Sequence, residues 1–181
     1  LLKNKQILEY STDTFLKNDN IHEIILVCNK RWEYKINNLS KKIKIIPGGN
    51  TRTKSVYNGL KNCHKDCTNI VIHDAARPFI LNKLINKGLS YLKKYDAAVP
   101  ILEINDSIIE INPSVKYLDR KTIKIIQTPQ FFLYKKILSA YRYNQGTFLD
   151  DLSLFLEFNK KISFKLFQGS KQNFKITSQH D

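Results

Sequence analysis

Asn69-Ile70-Val71-Ile72-His73-Asp74-Ala75-Ala76-Arg77-Pro78-Phe79 is the stretch that decides the fold. Asn69 to His73 is short, apolar and β-branched at its centre, which reads as a buried strand. A carboxylate, two small residues and a guanidinium then follow where that strand must end. Pro78 has no N–H to extend a ladder and forces the chain onward. Strands that stop on such groups belong to α/β sheets, where ligands sit at the carboxyl ends of strands.

The neighbouring segments keep the same rhythm. Upstream, Ile7, Leu8, Ser11 and Phe15 share one helical face. Glu23 to Val27 reads as a strand, and Lys42 to Ile46 as another, stopped by Pro47-Gly48-Gly49. Thr53 to Cys63 follows as a helix with Val56, Leu60 and Cys63 on one side. Downstream, Leu81, Leu84, Ile85, Gly88, Leu89 and Leu92 fit i, i+3, i+4, i+7 spacing. Ala97 to Leu102 reads as a strand. Glu103 to Arg120 breaks the alternation with Asn105-Asp106 and the turn Asn112-Pro113-Ser114, and reads as a β-arm over about residues 103–121. A strand at Thr122–Gln127, helices at Leu133–Tyr143 and Asp151–Phe158, and late strands at Ser163–Phe167 and Phe174–Thr177 complete the pattern. The expectation is one α/β domain over residues 1–181 with a mainly parallel sheet.

Composition sets outer limits. The 181 residues are 42% hydrophobic, enough for a sizeable core and too many for a disordered chain. No apolar run approaches the ~20 residues of a bilayer span. Lys and Arg number 30 against 16 Asp and Glu, a net charge of +14, which calls for an anionic partner without choosing its kind. The 25 Lys, 23 Ile and 17 Asn make up more than a third of the chain, and all three have AT-rich codons. The lysines are scattered, so part of the charge reads as coding bias spread over the surface. Three cysteines form no disulfide framework. Cys63-His64-Cys67 offers at most three zinc ligands with no second pair, and reads as one core and two surface residues.

Four segments place polar groups after strands. Gly48-Gly49-Asn50-Thr51-Arg52-Thr53-Lys54-Ser55 puts two glycines, Arg52 and Ser55 at the mouth of a helix, where free N–H groups favour anions or base edges. Asp74 and Arg77 form the second. Asp119-Arg120 with Gln127-Thr128-Pro129-Gln130 is the third. Asp150-Asp151 with Asn173 to Thr177 is the fourth. Singly, each has a plain structural reading: a strand–turn–helix connection, an Asp–Arg pair bracing a turn, a helix N-cap, a solvated Lys175.

Together and in this order, they resemble the 2-C-methyl-D-erythritol 4-phosphate cytidylyltransferase family of isoprenoid precursor synthesis. The resemblance spans Leu1 to Asp181. HDAARPF at His73–Phe79 is its most specific piece. GGNTRTKSVYNGL at Gly48–Leu60, Asp119-Arg120, QTPQFF at Gln127–Phe132 and NFKIT at Asn173–Thr177 follow the family pattern and spacing. The resemblance implies a Rossmann-like, three-layer nucleotidyltransferase domain whose protruding β-arm mediates a homodimer. It implies transfer of CMP from CTP to the sugar-alcohol phosphate with Mg²⁺, releasing pyrophosphate. Gly48, Gly49, Asn50 and Ser55 would lie against the cytosine, and Arg52 would be a further substrate-binding residue. Asp74 and Ala75 would lie near ribose and metal, with Asp74 the metal ligand. Arg77 and Thr128 would contact the sugar phosphate, and Ser107 would be a further substrate-binding residue. Arg120, reaching into the partner subunit, and Lys175 would hold the substrate phosphate for attack on the α-phosphorus.

That chemistry agrees with the residue types. The nucleophile is a phosphate oxygen, already anionic, so no general base is required. The obstacle is repulsion between two anions, which Arg, Lys and a divalent ion relieve. Three departures accompany the resemblance. The family's glycine-rich loop, with an Arg and a Lys around the CTP phosphates, is expected upstream of Leu1. Asp106-Ser107-Ile108 stands two residues later than the family's Asp-Thr-Ile. Leu149 replaces a frequent Thr. The nearest rival is a ribitol-5-phosphate cytidylyltransferase, which shares most of these motifs. A basic nucleic-acid-binding domain rests on charge alone, without an aromatic ladder or recognition helix; neither nucleic acid nor membrane is an expected partner. The expected compartment is cytoplasmic for a bacterial chain and a plastid-type organelle for a eukaryotic one.

Overall fold

The computed structural model describes residues 2, 4–32, 36, 42–143, 146, 148–158 and 160–178. Helix α1 (Ile7–Leu16) starts on a reciprocal Gln6–Glu9 cap. Strand β1 (Ile24–Cys28) pairs in parallel with β2 (Ile43–Pro47), Ile24 opposite Ile43 and Cys28 opposite Pro47. Thr51 caps α2 (Arg52–Lys61) by accepting from the Lys54 N–H at 3.1 Å. Strand β3 (Asn69–Ile72), helix α3 (Asn82–Tyr91) and strand β4 (Ala97–Glu103) follow. The arm is a two-stranded antiparallel hairpin of β5 (Ile108–Glu110) and β6 (Lys116–Leu118). The chain returns through β7 (Lys124–Ile126) and β8 (Gln130–Leu133), then α4 (Tyr134–Tyr143), α5 (Asp151–Phe158) and β9 (Phe164–Gln168).

The expected mainly parallel sheet is corrected. In the larger sheet, ordered β3-β8-β4-β7, β8 runs antiparallel to both β3 and β4, and β7 antiparallel to β4. Among the described residues, parallel pairing joins β1 to β2 and β9 to β4. The physical reason lies in the arm. It carries the chain out and back, so the return segment enters the sheet head-to-tail beside its neighbours. Strands β7 and β8 are the two halves of that return, interrupted at Gln127-Thr128-Pro129, where Pro129 lacks a ladder donor. The expected strand at Phe174–Thr177 is not formed either; there the Ile176 N–H donates to the Ala76 carbonyl at 2.8 Å.

Successive residues of the central strands feed opposite faces, as a pleat requires. Ala97 and Phe132 face one cluster with Leu60, Ile137, Leu154 and Phe155, under α2, α4 and α5. Ala98 and Phe131 face the other with Ile85, Leu84 and Phe167, under α3. Helix–sheet–helix layering follows from that alternation. Between β1 and β3 lies a cleft of about 1400 Å³, lined by Ile24, Leu26, Ile70 and Ile72 among others, which opens at Arg52, Ser55 and Asp74.

Candidate active site

The carboxyl ends of β2 and β3 and the break between β7 and β8 converge on Asp74. Its Oδ1 lies 3.5 Å from Arg52 Nη2; its Oδ2 lies 3.3 Å from Lys175 Nζ and 3.8 Å from Arg77 Nε. Burial pushes the Asp74 carboxyl up, but the charges of Arg52, Lys175 and Arg77 outweigh it and hold it below the usual carboxylate range. Lys175 is 101 positions away in sequence and reaches the site because Asn173 anchors its loop. The fully buried Asn173 side chain donates to the Thr128 carbonyl at 2.7 Å. Its own carbonyl accepts from Arg77 Nη1 at 2.9 Å and Gln127 Nε2 at 3.0 Å. Arg77 Nε is buried without a hydrogen-bond partner, a donor still unspent beside the Asp74 carboxylate.

A second chain of contacts fixes the Asp74 backbone. The Asp74 N–H donates to Thr128 Oγ1 at 3.0 Å, Thr128 Oγ1 lies 3.3 Å from His73 Nδ1, and His73 Nε2 lies 3.0 Å from the Arg77 carbonyl. A carbonyl only accepts, so Nε2 carries the hydrogen. Burial pushes His73 down to about 4, which keeps the ring neutral near pH 7. Nδ1 therefore accepts from the Thr128 hydroxyl. The sequence reading placed Thr128 against substrate; in the structure its hydroxyl is held inside the protein at both ends.

The glycine loop is braced internally too. Gly48 N–H donates to the Cys28 carbonyl at 2.7 Å, joining the ends of β1 and β2. A Cβ on Gly49 would lie 2.4 Å from Lys54 Cβ, so no larger residue fits there without displacement. Ser55 Oγ accepts from the Gly49 N–H at 3.0 Å and donates to the Thr51 carbonyl at 2.9 Å. Asn50 and Ala75 are exposed at the same mouth. Arg120 and Ser107 are exposed at the arm, Arg120 donating to the Asn105 carbonyl at 2.6 Å; neither is among the cations or polar groups paired with Asp74. Leu149 is 95% exposed, so nothing packs in place of the family's threonine.

The family described as IspD, 2-C-methyl-D-erythritol 4-phosphate cytidylyltransferase, matches residues 1–181. The chain belongs to this family. It is thereby a nucleotidyltransferase of isoprenoid precursor synthesis. It is 38% identical over 196 residues to the 2-C-methyl-D-erythritol 4-phosphate cytidylyltransferase of Clostridium botulinum, covering 99% of this chain and 83% of that one. It is 39% identical to the bifunctional IspD/IspF enzyme of Pelagibacter ubique, covering 99% of this chain; the match spans about half, 48%, of that longer protein. Among solved structures, the 4-diphosphocytidyl-2C-methyl-D-erythritol synthase of Anaerococcus prevotii superposes with a TM-score of 0.93 at 29% identity, over 99% of this chain and 84% of that one.

Within this cytidylyltransferase family fold, sequence reasoning passed over several residues that build the site. Gln127 crosses to the Asn173 loop, accepting from the Ser170 N–H at 3.1 Å and donating to the Ser170 carbonyl at 2.9 Å. His73 was read as the end of a strand. Asp150 does serve as a helix cap, accepting from the Ser153 N–H at 2.8 Å, but its neighbour Asp151 points the other way, into the protein. The usable signal was that His73 and Gln127 are the first residues of the HDAARPF and QTPQFF motifs.

Proposed function

We propose that this chain transfers CMP from CTP to 2-C-methyl-D-erythritol 4-phosphate, releasing pyrophosphate, with Asp74, Arg77 and Lys175 as the working group. The observation that carries this reading is the meeting of Lys175 and Arg77 on one oxygen of Asp74. Two cations drawn from distant segments are held there by a single carboxylate. An incoming phosphate competes for both, and the buried Arg77 Nε supplies a donor with no protein acceptor. Lys175 and Arg77 thus hold the acceptor phosphate oxygen in line and offset its repulsion from the nucleotide.

A divalent cation fits Asp74. Mg²⁺ binds through one or two carboxylates plus substrate phosphates and keeps several waters. Among the described residues no group of three or more His, Cys, Asp or Glu gathers into a cage, so the cation would arrive with CTP on the Asp74 oxygens. When bound it would stabilise charge on the α-phosphate and on the leaving pyrophosphate. Ser55 lines the cleft and holds the Gly49 N–H, so the loop of Gly48, Gly49 and Asn50 lies next to the cleft, where a base would meet its backbone.

The arm supports a homodimer reading. Ile111, Val115 and Tyr117 are 70%, 65% and 76% exposed, an apolar set that a second copy would cover, bringing Arg120 towards the partner's site. The test is pyrophosphate release by the purified full-length protein, given CTP, Mg²⁺ and either methylerythritol phosphate or ribitol 5-phosphate. Turnover with the first, lost in Lys175→Ala, is expected. Turnover with ribitol phosphate alone, or with neither, refutes the proposal.

A further inference from the structure

Arg52 opens α2 at the cleft mouth, yet its fork of donors is already engaged. Nη1 donates to Asp151 Oδ1 at 3.1 Å and Nη2 to Oδ2 at 2.7 Å, a two-point pairing of guanidinium and carboxylate. Asp151 is fully buried, and its Oδ1 also accepts from the Tyr141 hydroxyl. Tyr141 is itself buried in α4 and lies parallel to Tyr57, ring centres 6.4 Å apart. Helices α2, α4 and α5 therefore grip one ion pair from three sides. The remaining edge of the same Nη2 faces Asp74 Oδ1 at 3.5 Å.

We infer that Arg52 is a positioning residue: locked by Asp151 and Tyr141, it holds one oxygen of Asp74 towards α2 and leaves the other facing Arg77 and Lys175. This differs from Arg52 as a substrate contact, because its Nη1–Nη2 fork is committed to a buried carboxylate and the remaining edge of Nη2 faces Asp74. The inference rests on the role of Asp74 proposed above. Its consequence is mechanical. Without Arg52, the second Asp74 oxygen is free to turn from α2 to Lys175, whose ammonium already pairs with the first at 3.3 Å, and to hold more tightly the cations that the acceptor phosphate needs. Lys at position 52 would keep the charge but not the planar two-point pairing.

A double-mutant cycle tests this. Arg52→Gln lowers kcat/KM by about 10- to 100-fold, the usual effect of losing a residue that orients a ligand-binding group. Asp74→Asn also lowers it, and the double variant is no worse than Asp74→Asn alone, since Arg52 then has nothing to orient. Arg52→Lys does not restore activity. Tyr141→Phe, which keeps shape and burial, loses some stability with its buried hydrogen bond, and lowers kcat/KM in the same direction when assayed well below its thermal midpoint, where the variant is fully folded, so unfolding is not the cause. An independent readout follows the Asp74 carboxyl by carbon-13 NMR in the protein without nucleotide; its titration moves upward in Arg52→Gln. Losses that multiply in the double variant overturn the inference, because Arg52 would then act on substrate directly. Should Asp74→Asn keep full turnover while Arg52→Gln loses it, the role of Asp74 proposed above fails and the inference with it, whereas multiplying losses overturn the inference alone.

Discussion

Thr128→Val separates two roles for one hydroxyl. Threonine and valine share a shape, so the substitution removes only the oxygen between the Asp74 N–H and His73 Nδ1. Thr128 is 5% exposed, which leaves little water to replace that oxygen. A buried N–H left without an acceptor costs about 1–3 kcal/mol, and the longer bond to His73 adds about 0.5–1 kcal/mol. The extra buried methyl returns about 0.8 kcal/mol. The balance is a loss of about 1–3 kcal/mol, or roughly 2–10 °C in thermal midpoint for a chain of this size. Thr128→Ser keeps the hydroxyl and loses only the methyl, about 0.8 kcal/mol. Urea unfolding of the three proteins gives the energies, and kcat/KM for the acceptor gives the functional effect through the shifted Asp74 backbone. The reasoning is refuted if Thr128→Val unfolds at the wild-type urea concentration while its KM for the acceptor rises. That result would mean the hydroxyl meets substrate and does not brace Asp74.

Other consequences are independent of that pair. Gly88→Ala gains about 1 kcal/mol of helix propensity, yet its Cβ would lie 2.2 Å from the fully buried Phe131 ring. Overpacking of that kind costs about 1–3 kcal/mol or more, so a net loss in urea unfolding is expected, and a gain would contradict the packing of α3 on the sheet. Burial raises the Asp96 carboxyl, but Lys136 at 2.7 Å and the Ser163 donors outweigh it and hold it below its ordinary 3.8. Its stabilisation is thus present above that value and disappears as pH falls through the lower folded-state value. The stability gap between wild type and Asp96→Asn should therefore be open at pH 7 and close below pH ~4. Replacing Ile111, Val115 and Tyr117 with Ser is expected to shift sedimentation towards monomer while leaving the thermal midpoint of the domain near wild type; unchanged sedimentation would remove the arm from the dimer reading.

Much of the site was readable because its residues follow strands within a few positions. Asp74 and Arg77 need only β3 and a turn to stand together, and the Gly48-Gly49 loop needs only β2 to end at Pro47. Lys175 was readable as a motif, but its contact with Asp74 depends on Asn173 and Gln127 tying a loop that forms no strand. Asp151 read as half of a helix cap because its neighbour Asp150 has that role; adjacent side chains on a helix start point in different directions, and only packing tells which one turns inward. The short apolar run at Gln130–Leu133 was absorbed into the motif and the following helix, since four residues carry too little periodicity to declare a strand.

By itself the chain determined where most strands and helices lie, the Gln130–Leu133 strand and the unformed strand at Phe174–Thr177 apart, which faces are apolar, and which charged groups end up at strand termini. Those are consequences of local periodicity and turn chemistry, which act over a few residues. Strand direction, the partners of Asp74, and the engagement of Arg52 and Thr128 inside the protein were decided by the tertiary structure. Each depends on groups tens of residues apart meeting in space, and no local pattern encodes which oxygen a distant guanidinium or hydroxyl will find first.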